Sequence, residues 1–253
     1  IDLREDLRRV HASIGAATLL VTHDHADAIA IADRLAYLDG GRVLQYHNVT
    51  PAHFFARYDA GICRMAAEGR RELATLAGRT DLALGVSDYN RQELVSLGFE
   101  RTGVLPIVVD TARLTAAPPV PALELSLKDG LANILFVGRI APNKMIEDHI
   151  RLAEHYKRYV DIYYRFIFVG NYNAVPGYYA TIRALIAEYR MLPDRFWFTG
   201  PVPDRELAAY YRHAHAYVSL SEHEGFCVPL VEAMAMDVPV LAYSAAAVPE
   251  TLG

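Results

Sequence analysis

Residues 221–234 read S-E-H-E-G-F-C-V-P-L-V-E-A-M, and this stretch decides the fold. The apolar runs on either side of it, residues 216–220 and 238–242, are rich in β-branched and aromatic side chains, as buried parallel strands are. Within the stretch, apolar residues such as Val228 and Val231 recur at helical spacing. The order of strand, acidic loop, helix and strand therefore predicts a βαβ unit.

Two carboxylates are placed in this unit where they could bind one ligand. Glu224 lies in the loop at the carboxyl end of the first strand, where open α/β sheets bind ligands. Glu232 follows about two turns into the helix. The backbone amides of Gly225, Phe226 and Cys227 open that helix and predict an anion site. The stretch predicts a charged, hydroxyl-rich nucleotide ligand; the plainer alternative is two carboxylates that simply face water.

The two glutamates belong to a wider motif, E-G-F-C-V-P-L-V-E-A-M-A followed by P-V-L-A. This motif resembles the donor site of the family-4 retaining glycosyltransferases, which have the GT-B architecture. The resemblance extends over about residues 46–253. It implies that Glu224 binds hydroxyls of the donor sugar, and that Glu232 binds the ribose of a nucleoside diphosphate. It also implies front-face attack in which the leaving phosphate takes the acceptor proton, so we assign no protein nucleophile.

A second motif, G-R-I-A-P-N-K at residues 138–144, resembles the diphosphate-binding loop of the same family. Arg139 offers a planar fork of donors and Lys144 a compact charge, next to a predicted helix N-terminus. Together they would stabilise the negative charge of a leaving nucleoside diphosphate, so we expect neither a metal nor another cofactor. The spacing matches neither a Walker loop nor G-x-G-x-x-G. The alternative is a pair of exposed basic residues.

Composition limits the function classes. The chain has 253 residues, 53% of them hydrophobic, and a net charge of −5, which argues against a general nucleic-acid binder. Cys63 and Cys227 have no metal or redox spacing, and we expect both to be buried apolar residues.

No apolar run approaches the roughly 18 residues of a membrane span, and no leader is evident, so the sequence predicts a cytoplasmic protein with at most peripheral membrane contact. Because the chain starts at Ile1 and stops at Gly253 after a cap pattern, we expect a fragment at both ends.

The first 45 residues resemble a different family. V-T-H-D-H-A-D-A-I-A-I-A-D-R-L-A-Y-L-D-G-G-R-V-L-Q, residues 21–45, is similar to the end of an ABC-transporter ATPase domain, with His23 at the switch position. In that family the Walker loop, signature loop and catalytic glutamate precede this point, and none occurs here. We therefore expect His23 to be structural. A recombined or misassembled gene is our interpretation of the mosaic.

Residues 46–115 resemble the second half of a family-4 N-terminal domain. The pattern predicts a helical region at 54–77 and strands at 82–87 and 104–110. The resemblance implies that His47 contacts the donor sugar from across the cleft, as the second catalytic candidate beside Glu224. A histidine beside a turn is as readily a structural residue. Ser87 matches the serine that follows this strand in the family, and it is as readily a helix cap.

Residues 116–253 alternate strand and helix after a proline-rich linker at 115–121. This alternation predicts a doubly wound, Rossmann-like parallel sheet with right-handed crossovers. We expect further polar residues to face solvent or to be structural, with no metal spacing; these are Asp148, His149, Glu154, His155, His213 and His215.

The sequence thus predicts an α/β glycosyltransferase that moves a sugar from a nucleoside-diphosphate donor to a glycan or lipid-linked acceptor, with retention. Two alternatives stay open: a nucleotide-binding module without turnover, and a fragment of an ABC transporter ATP-binding subunit. The donor base, the sugar, the acceptor and the oligomeric state have no determinant that we find in the sequence.

Overall fold

The computed structural model describes residues 41–253. The predictions for His23 and for the first 40 residues lie outside this range. Within it, Val43–Gly253 form one compact unit that contains two parallel sheets.

The smaller sheet has three strands in the order β1-β2-β3. They are β1 (Val43–Tyr46), β2 (Leu82–Gly85) and β3 (Thr102–Val104), and both pairings are parallel. Helix α1 (Ala60–Thr75) connects the first two strands, and α2 (Asp88–Ser96) connects the second and third. Buried Tyr46, Leu73 and Leu94 pack between this sheet and its helices.

The larger sheet has five parallel strands in the order β6-β5-β4-β7-β8. They are β4 (Ala132–Val137), β5 (Tyr164–Val169), β6 (Phe196–Gly200), β7 (Ala216–Ser219) and β8 (Val240–Ala242). The chain extends the sheet from β4 in one direction and then crosses to its other side with β7. This order confirms the doubly wound sheet that the sequence predicted.

Six helices accompany this sheet in the described part of the chain. They are α3 (Ala112–Thr115), α4 (Pro121–Leu127), α5 (Ile146–Tyr159), α6 (Pro176–Glu188), α7 (Asp204–Arg212) and α8 (Val228–Ala235). A ninth helix, α9 (Val248–Leu252), ends the chain. The predicted linker falls between α3 and α4, where Arg212 donates to the carbonyl of Ala117 at 3.1 Å.

The core lies on both faces of the larger sheet. In β5, Phe166 and Phe168 belong to one buried cluster, whereas Ile167 and Val169 belong to the other. Successive side chains of a strand point to opposite faces, so each face is covered by its own helices. Continuous apolar strands are what a parallel sheet covered on both sides requires.

Three sequence predictions differ from the structure. The strand predicted at 104–110 ends at Val104, because Pro106 has no amide to donate to a sheet. The helix predicted at 54–77 begins at Ala60, where the Asp59 side chain accepts from the Ile62 amide at 2.9 Å. Strand β1 begins at Val43, within the segment that resembles the ABC-transporter ATPase, and it pairs with β2.

The prediction that His149 faces solvent is wrong. His149 is fully buried because it shares one face of α5 with Ile146, Ile150 and Ala153. Its ring nitrogens lie 3.0 Å from the Met145 carbonyl oxygen and 3.2 Å from that of Val218, and the neutral ring can donate its one N–H to either of them. Burial lowers the pKa of this imidazole.

Candidate functional site

The reversal of strand order beside β4 locates the candidate site. The chain leaves β4 through a first loop, residues 138–145, and leaves the neighbouring strand β7 through a second loop, residues 220–227. Because β4 and β7 are parallel, both loops emerge at the same edge of the sheet. Ligands of open α/β sheets bind at such a switch point, outside the carboxyl ends of the strands.

The first loop directs Lys144 towards Glu224 on the second loop. A 3₁₀ turn, Pro142–Lys144, is followed by Met145 in the left-handed region (φ 49°), and α5 then starts. The Nζ of Lys144 lies 2.6 Å from Oε1 of Glu224, and the two side chains are only 15% and 11% exposed. Arg139 lies on the same loop with an exposed guanidinium that has no hydrogen bond or ion pair within residues 41–253.

One side-chain and one backbone hydrogen bond hold the two loops together. Asn143 is buried, and its side-chain amide donates to the His223 carbonyl at 3.0 Å. In return, the Glu222 amide donates to the Asn143 carbonyl, also at 3.0 Å. The distance between Lys144 and Glu224 is therefore set by the loops as well as by the charges.

The second loop ends at Cys227, which has a left-handed backbone (φ 70°) and precedes α8. Burial raises the pKa of the Cys227 thiol to about 12, and the nearby Glu224 carboxylate adds to the effect. The carbonyl of Phe226 accepts a hydrogen bond from the Thr251 hydroxyl on α9. Cys227 is buried as predicted, whereas Cys63 is only half-buried.

Glu232 is buried on α8, so the alternative that it faces water is wrong. Its side chain is 4% exposed. Oε2 accepts from the Tyr211 hydroxyl at 2.9 Å, and Oε1 accepts from the Arg113 guanidinium. The same guanidinium donates to Asp204 Oδ1 at 2.5 Å. Burial, together with the Glu232 carboxylate, raises the pKa of Tyr211.

Gly225 is where the smaller sheet meets the second loop. Its carbonyl accepts from the Ser87 hydroxyl at 2.8 Å and from the Asn90 side-chain amide at 3.2 Å. A Cβ at Gly225 would lie 2.6 Å from the His47 carbonyl oxygen and 2.8 Å from Asn48 Cβ. Only glycine fits this approach. Ser87 also caps α2 by accepting from the Asn90 amide at 3.2 Å, as the helix-cap alternative predicted.

His47 therefore reaches the site by its backbone. Its imidazole is exposed and has no hydrogen bond or ion pair to any residue that the structure describes. It lies at the carboxyl end of β1, one residue after the strand.

His223 makes a further contact between the two sides. Its Nε2 lies 2.7 Å from Asn48 Oδ1, and Asn48 itself donates its amide to Asn90 Oδ1 at 2.7 Å. Because the Asn48 oxygen accepts, His223 carries its proton on Nε2, and Nδ1 faces the Tyr89 hydroxyl at 3.4 Å. Burial and the nearby Arg70 lower the pKa of His223 to about 4, so the ring is neutral at pH 7.

Several residues of this site were not predicted from the sequence. Asn48, Asn90 and Arg113 lie in segments without a motif, and Tyr211 is in an ordinary amphipathic helix. Of the predicted residues, Lys144, Glu224 and Gly225 come together with the His47 backbone. Arg139 and Glu232 have no direct contact with that group in the described residues.

Two kinds of feature were not found in the described residues. Between residues 41 and 253 no group of three or more His, Cys, Asp or Glu side chains could hold a metal ion. None of the helices in that range is long and apolar enough to cross a membrane. His215 is structural, since its Nδ1 accepts from the Asn133 amide at 3.0 Å.

Comparison with known families gives a match over the part of the chain that holds this site. The family described as "Glycosyl transferases group 1" matches residues 124–253, just over half of the chain.

The chain is similar to curated proteins of two different kinds. The O-antigen chain mannosyltransferase B of Escherichia coli is 25% identical over 177 residues, covering 68% of this chain and 45% of that protein. The sn-glycerol-3-phosphate import ATP-binding protein UgpC 1 of Rhizobium johnstonii is 33% identical over 143 residues, covering 51% of this chain and 36% of that protein. The chain thus spans less than half the length of either relative.

Two solved structures share the fold. Sucrose-phosphate synthase of Thermosynechococcus elongatus superimposes with a TM-score of 0.63 at 22% identity, over 83% of this chain and 52% of that one. Anabaena Alr3699/HepE in complex with UDP-glucose superimposes with a TM-score of 0.62 at 20% identity, over 82% of this chain and 54% of that one. The architecture is therefore of the GT-B type, and this chain spans about half the length of these structures.

Proposed function

The chain belongs to the group 1 glycosyl transferases, and on this premise we propose that it transfers a sugar from a nucleoside-diphosphate donor to a glycan or lipid-linked acceptor with retention of configuration. The observation that carries the proposal is the contact of Lys144 with Glu224 at the topological switch point. A cation and a carboxylate held together there suit the two parts of a donor on either side of its reacting bond. The cation suits the diphosphate, and the carboxylate suits the hydroxyls of the sugar.

The cationic side acts on the leaving group. As the bond between the anomeric carbon and the phosphate oxygen breaks, negative charge collects on the nucleoside diphosphate. Lys144 and Arg139 stabilise that charge, Lys144 as a point charge and Arg139 through its planar fork. The guanidinium of Arg139 is exposed and has no partner among the described residues, so no contact with them has to break before it binds phosphate. Two cations make a divalent metal unnecessary for this step.

The carboxylate side orients the donor. Glu224 accepts hydrogen bonds from the sugar hydroxyls, and Glu232 accepts them from the ribose. The amides of Gly225, Phe226 and Cys227 lie at the start of α8, where a helix favours an anion. His47 contacts the sugar from the side of the smaller sheet. The acceptor oxygen bonds to the anomeric carbon on the face from which the diphosphate leaves, and the leaving phosphate takes the acceptor proton. No side chain acts as nucleophile in this step.

The names of the relatives support this choice of substrates. One of them is named an O-antigen chain mannosyltransferase, and the structure of another is a complex with UDP-glucose. We extend this chemistry to the chain as a nucleotide-sugar donor and a polysaccharide or lipid-linked acceptor. The proposal keeps the cytoplasmic location predicted from the sequence.

A thermal-shift titration tests the donor site. The whole chain is titrated with UDP, GDP, ADP and ATP, with and without EDTA, alongside Lys144→Ala and Glu232→Ala. Ligand at 100 times its dissociation constant should stabilise the protein by about 2.7 kcal/mol. We expect a shift with a nucleoside diphosphate that EDTA leaves unchanged and both substitutions abolish. Arg151→Ala is the matched control, because Arg151 is exposed on α5 and pairs with Asp148 of the same helix.

The same titration tests a second candidate function, an ATP-binding subunit of an ABC transporter. The match to UgpC 1 favours this candidate, although the sequence contains no Walker loop. A shift with ATP alone, unaffected by either substitution, would support this candidate and overturn the glycosyltransferase proposal. No shift with any nucleotide would overturn both.

A further inference from the structure

The carboxylate of Glu232 is already occupied within the chain. Each of its oxygens accepts one hydrogen bond, Oε1 from Arg113 and Oε2 from Tyr211. With 4% of the side chain exposed, the two hydroxyls of a ribose cannot reach it unless one partner moves.

Of these two partners, Tyr211 is fixed. It is fully buried among apolar residues, and its hydroxyl oxygen also lies 3.3 Å from the Pro229 carbonyl oxygen. Moving its ring would open a cavity in the core beside α8, which is costly.

Arg113, by contrast, is free to move. A third of its side chain is exposed, and it extends from α3, a helix of four residues that follows β3 and precedes β4 in the chain. Its other partner, Asp204, is 56% exposed at the start of α7. Asp204 can therefore keep the guanidinium when Glu232 releases it, and the long arginine side chain can pivot without disturbing the core.

We propose that Arg113 is a lid on the nucleoside site: the ribose hydroxyls must displace its guanidinium from Glu232, and Asp204 then holds the displaced side chain. This inference rests on the proposed function, because it takes Glu232 as the ribose-binding carboxylate. The exchange replaces one set of hydrogen bonds to the carboxylate by another, with no proton transferred. The internal guanidinium competes with the nucleoside and lowers its apparent affinity.

The lid makes a prediction that depends on the ribose. Removing Arg113 should tighten binding of the nucleoside diphosphate about tenfold, since one charged hydrogen bond no longer has to be exchanged. The 2′,3′-dideoxy form of the same nucleotide has no hydroxyls to replace Arg113, so its affinity should not change.

Calorimetric titration of the whole chain tests this prediction. UDP, GDP and ADP, each with its 2′,3′-dideoxy counterpart, are titrated into the wild type, Arg113→Ala and the control Arg151→Ala. The lid is supported if Arg113→Ala binds a ribonucleotide more tightly than the wild type and Arg151→Ala do, while its affinity for the dideoxy form is unchanged. Weaker binding would make Arg113 a residue that positions Glu232, and it would overturn the lid, as would unchanged binding or equal tightening of both forms.

Failure of the lid can be separated from failure of the proposed function. If the wild type binds a diphosphate and Lys144→Ala loses it, while Arg113→Ala behaves as the wild type, only the lid is overturned. If neither the wild type nor Arg113→Ala binds any diphosphate, both are overturned.

A second variant covers the case in which Arg113→Ala fails to fold. That substitution leaves the buried carboxylate with Tyr211 alone. Arg113→Gln keeps a neutral donor on the same segment, so we expect a stable protein with a smaller tightening that is again confined to the ribonucleotide. Equal affinity of Arg113→Gln and the wild type would overturn the lid.

Discussion

Lys144 and Glu224 join the two loops of the switch point through a contact of 2.6 Å between Nζ and Oε1. Both side chains are largely buried, so the contact pairs their opposite charges away from water. In this arrangement the group that would bind phosphate also fixes the carboxylate that would bind the sugar.

Lys144→Ala should therefore lower stability as well as ligand affinity. It leaves the Glu224 carboxylate buried without its partner, and we expect the free energy of unfolding to fall by about 1–3 kcal/mol. Arg139→Ala is the matched comparison, because the exposed Arg139 has no partner among the described residues to lose; its stability should stay within about 0.5 kcal/mol of the wild type. Urea unfolding measures both. Equal stability of Lys144→Ala and the wild type would contradict the ion pair.

Gly225→Ala should destabilise the protein although it adds only a methyl group. The new Cβ would lie 2.6 Å from the His47 carbonyl oxygen, and backbone has to shift to accept it. We expect a loss of about 1–3 kcal/mol in urea unfolding. Gly78→Ala is the control: Gly78 is exposed with nothing within 4 Å of its Cβ position, so the change should be near zero. A Gly225→Ala protein as stable as Gly78→Ala would show that the two sides do not approach as described.

His223 should make stability depend on pH. Burial lowers its pKa to about 4, against about 6.5 in the unfolded chain. As pH falls from 6.5 towards 4, the unfolded chain binds a proton that the folded chain does not, so stability is lost across this window, by up to about 3 kcal/mol. Unfolding of the wild type and His223→Gln at pH 7 and pH 4.5 measures this contribution, with the exposed His155→Gln as control. We expect a smaller acid loss in His223→Gln; equal losses in all three would refute the assignment.

The two cysteines should differ in reactivity. Burial raises the pKa of Cys227 to about 12, so almost none of it is thiolate at pH 8, and the buried sulfur is shielded. Native protein treated with iodoacetamide should be modified at the half-buried Cys63, and at Cys227 at least about a hundredfold more slowly than in urea. Mass spectrometry of the peptides gives both rates. Rapid native labelling of Cys227 would argue against this packing of the second loop.

The larger sheet was accessible to sequence reasoning because its strands are buried on both faces. Such strands are continuous apolar runs between glycines and prolines, and the run predicted at 216–220 is β7, Ala216–Ser219. The βαβ order then placed Glu224 and Lys144 at one edge of the sheet, where the structure has them in contact.

The rest depends on contacts between distant parts of the chain. Arg113 and Glu232 are 119 residues apart in sequence, and no local pattern distinguishes Arg113 from any other arginine of a connecting segment. The polar character of His149 predicts an exposed residue, whereas its spacing from Ile146 and Ile150 puts it on the buried face of α5. Whether a polar residue on an apolar face can be buried depends on its hydrogen-bond partners. For His149 these are the carbonyls of Met145 and Val218, and no sequence pattern indicates them.

The fit around Gly225 restricts how this protein can be recombined. Its carbonyl is held by Ser87 and Asn90, and the space above it is filled by the backbone at His47. A chimera that replaces the smaller sheet with that of another enzyme must supply equivalent donors and an equally close backbone turn. Without them, the loop that carries Glu224 loses its hydrogen bonds to the smaller sheet. The smaller sheet and this loop should therefore be exchanged together.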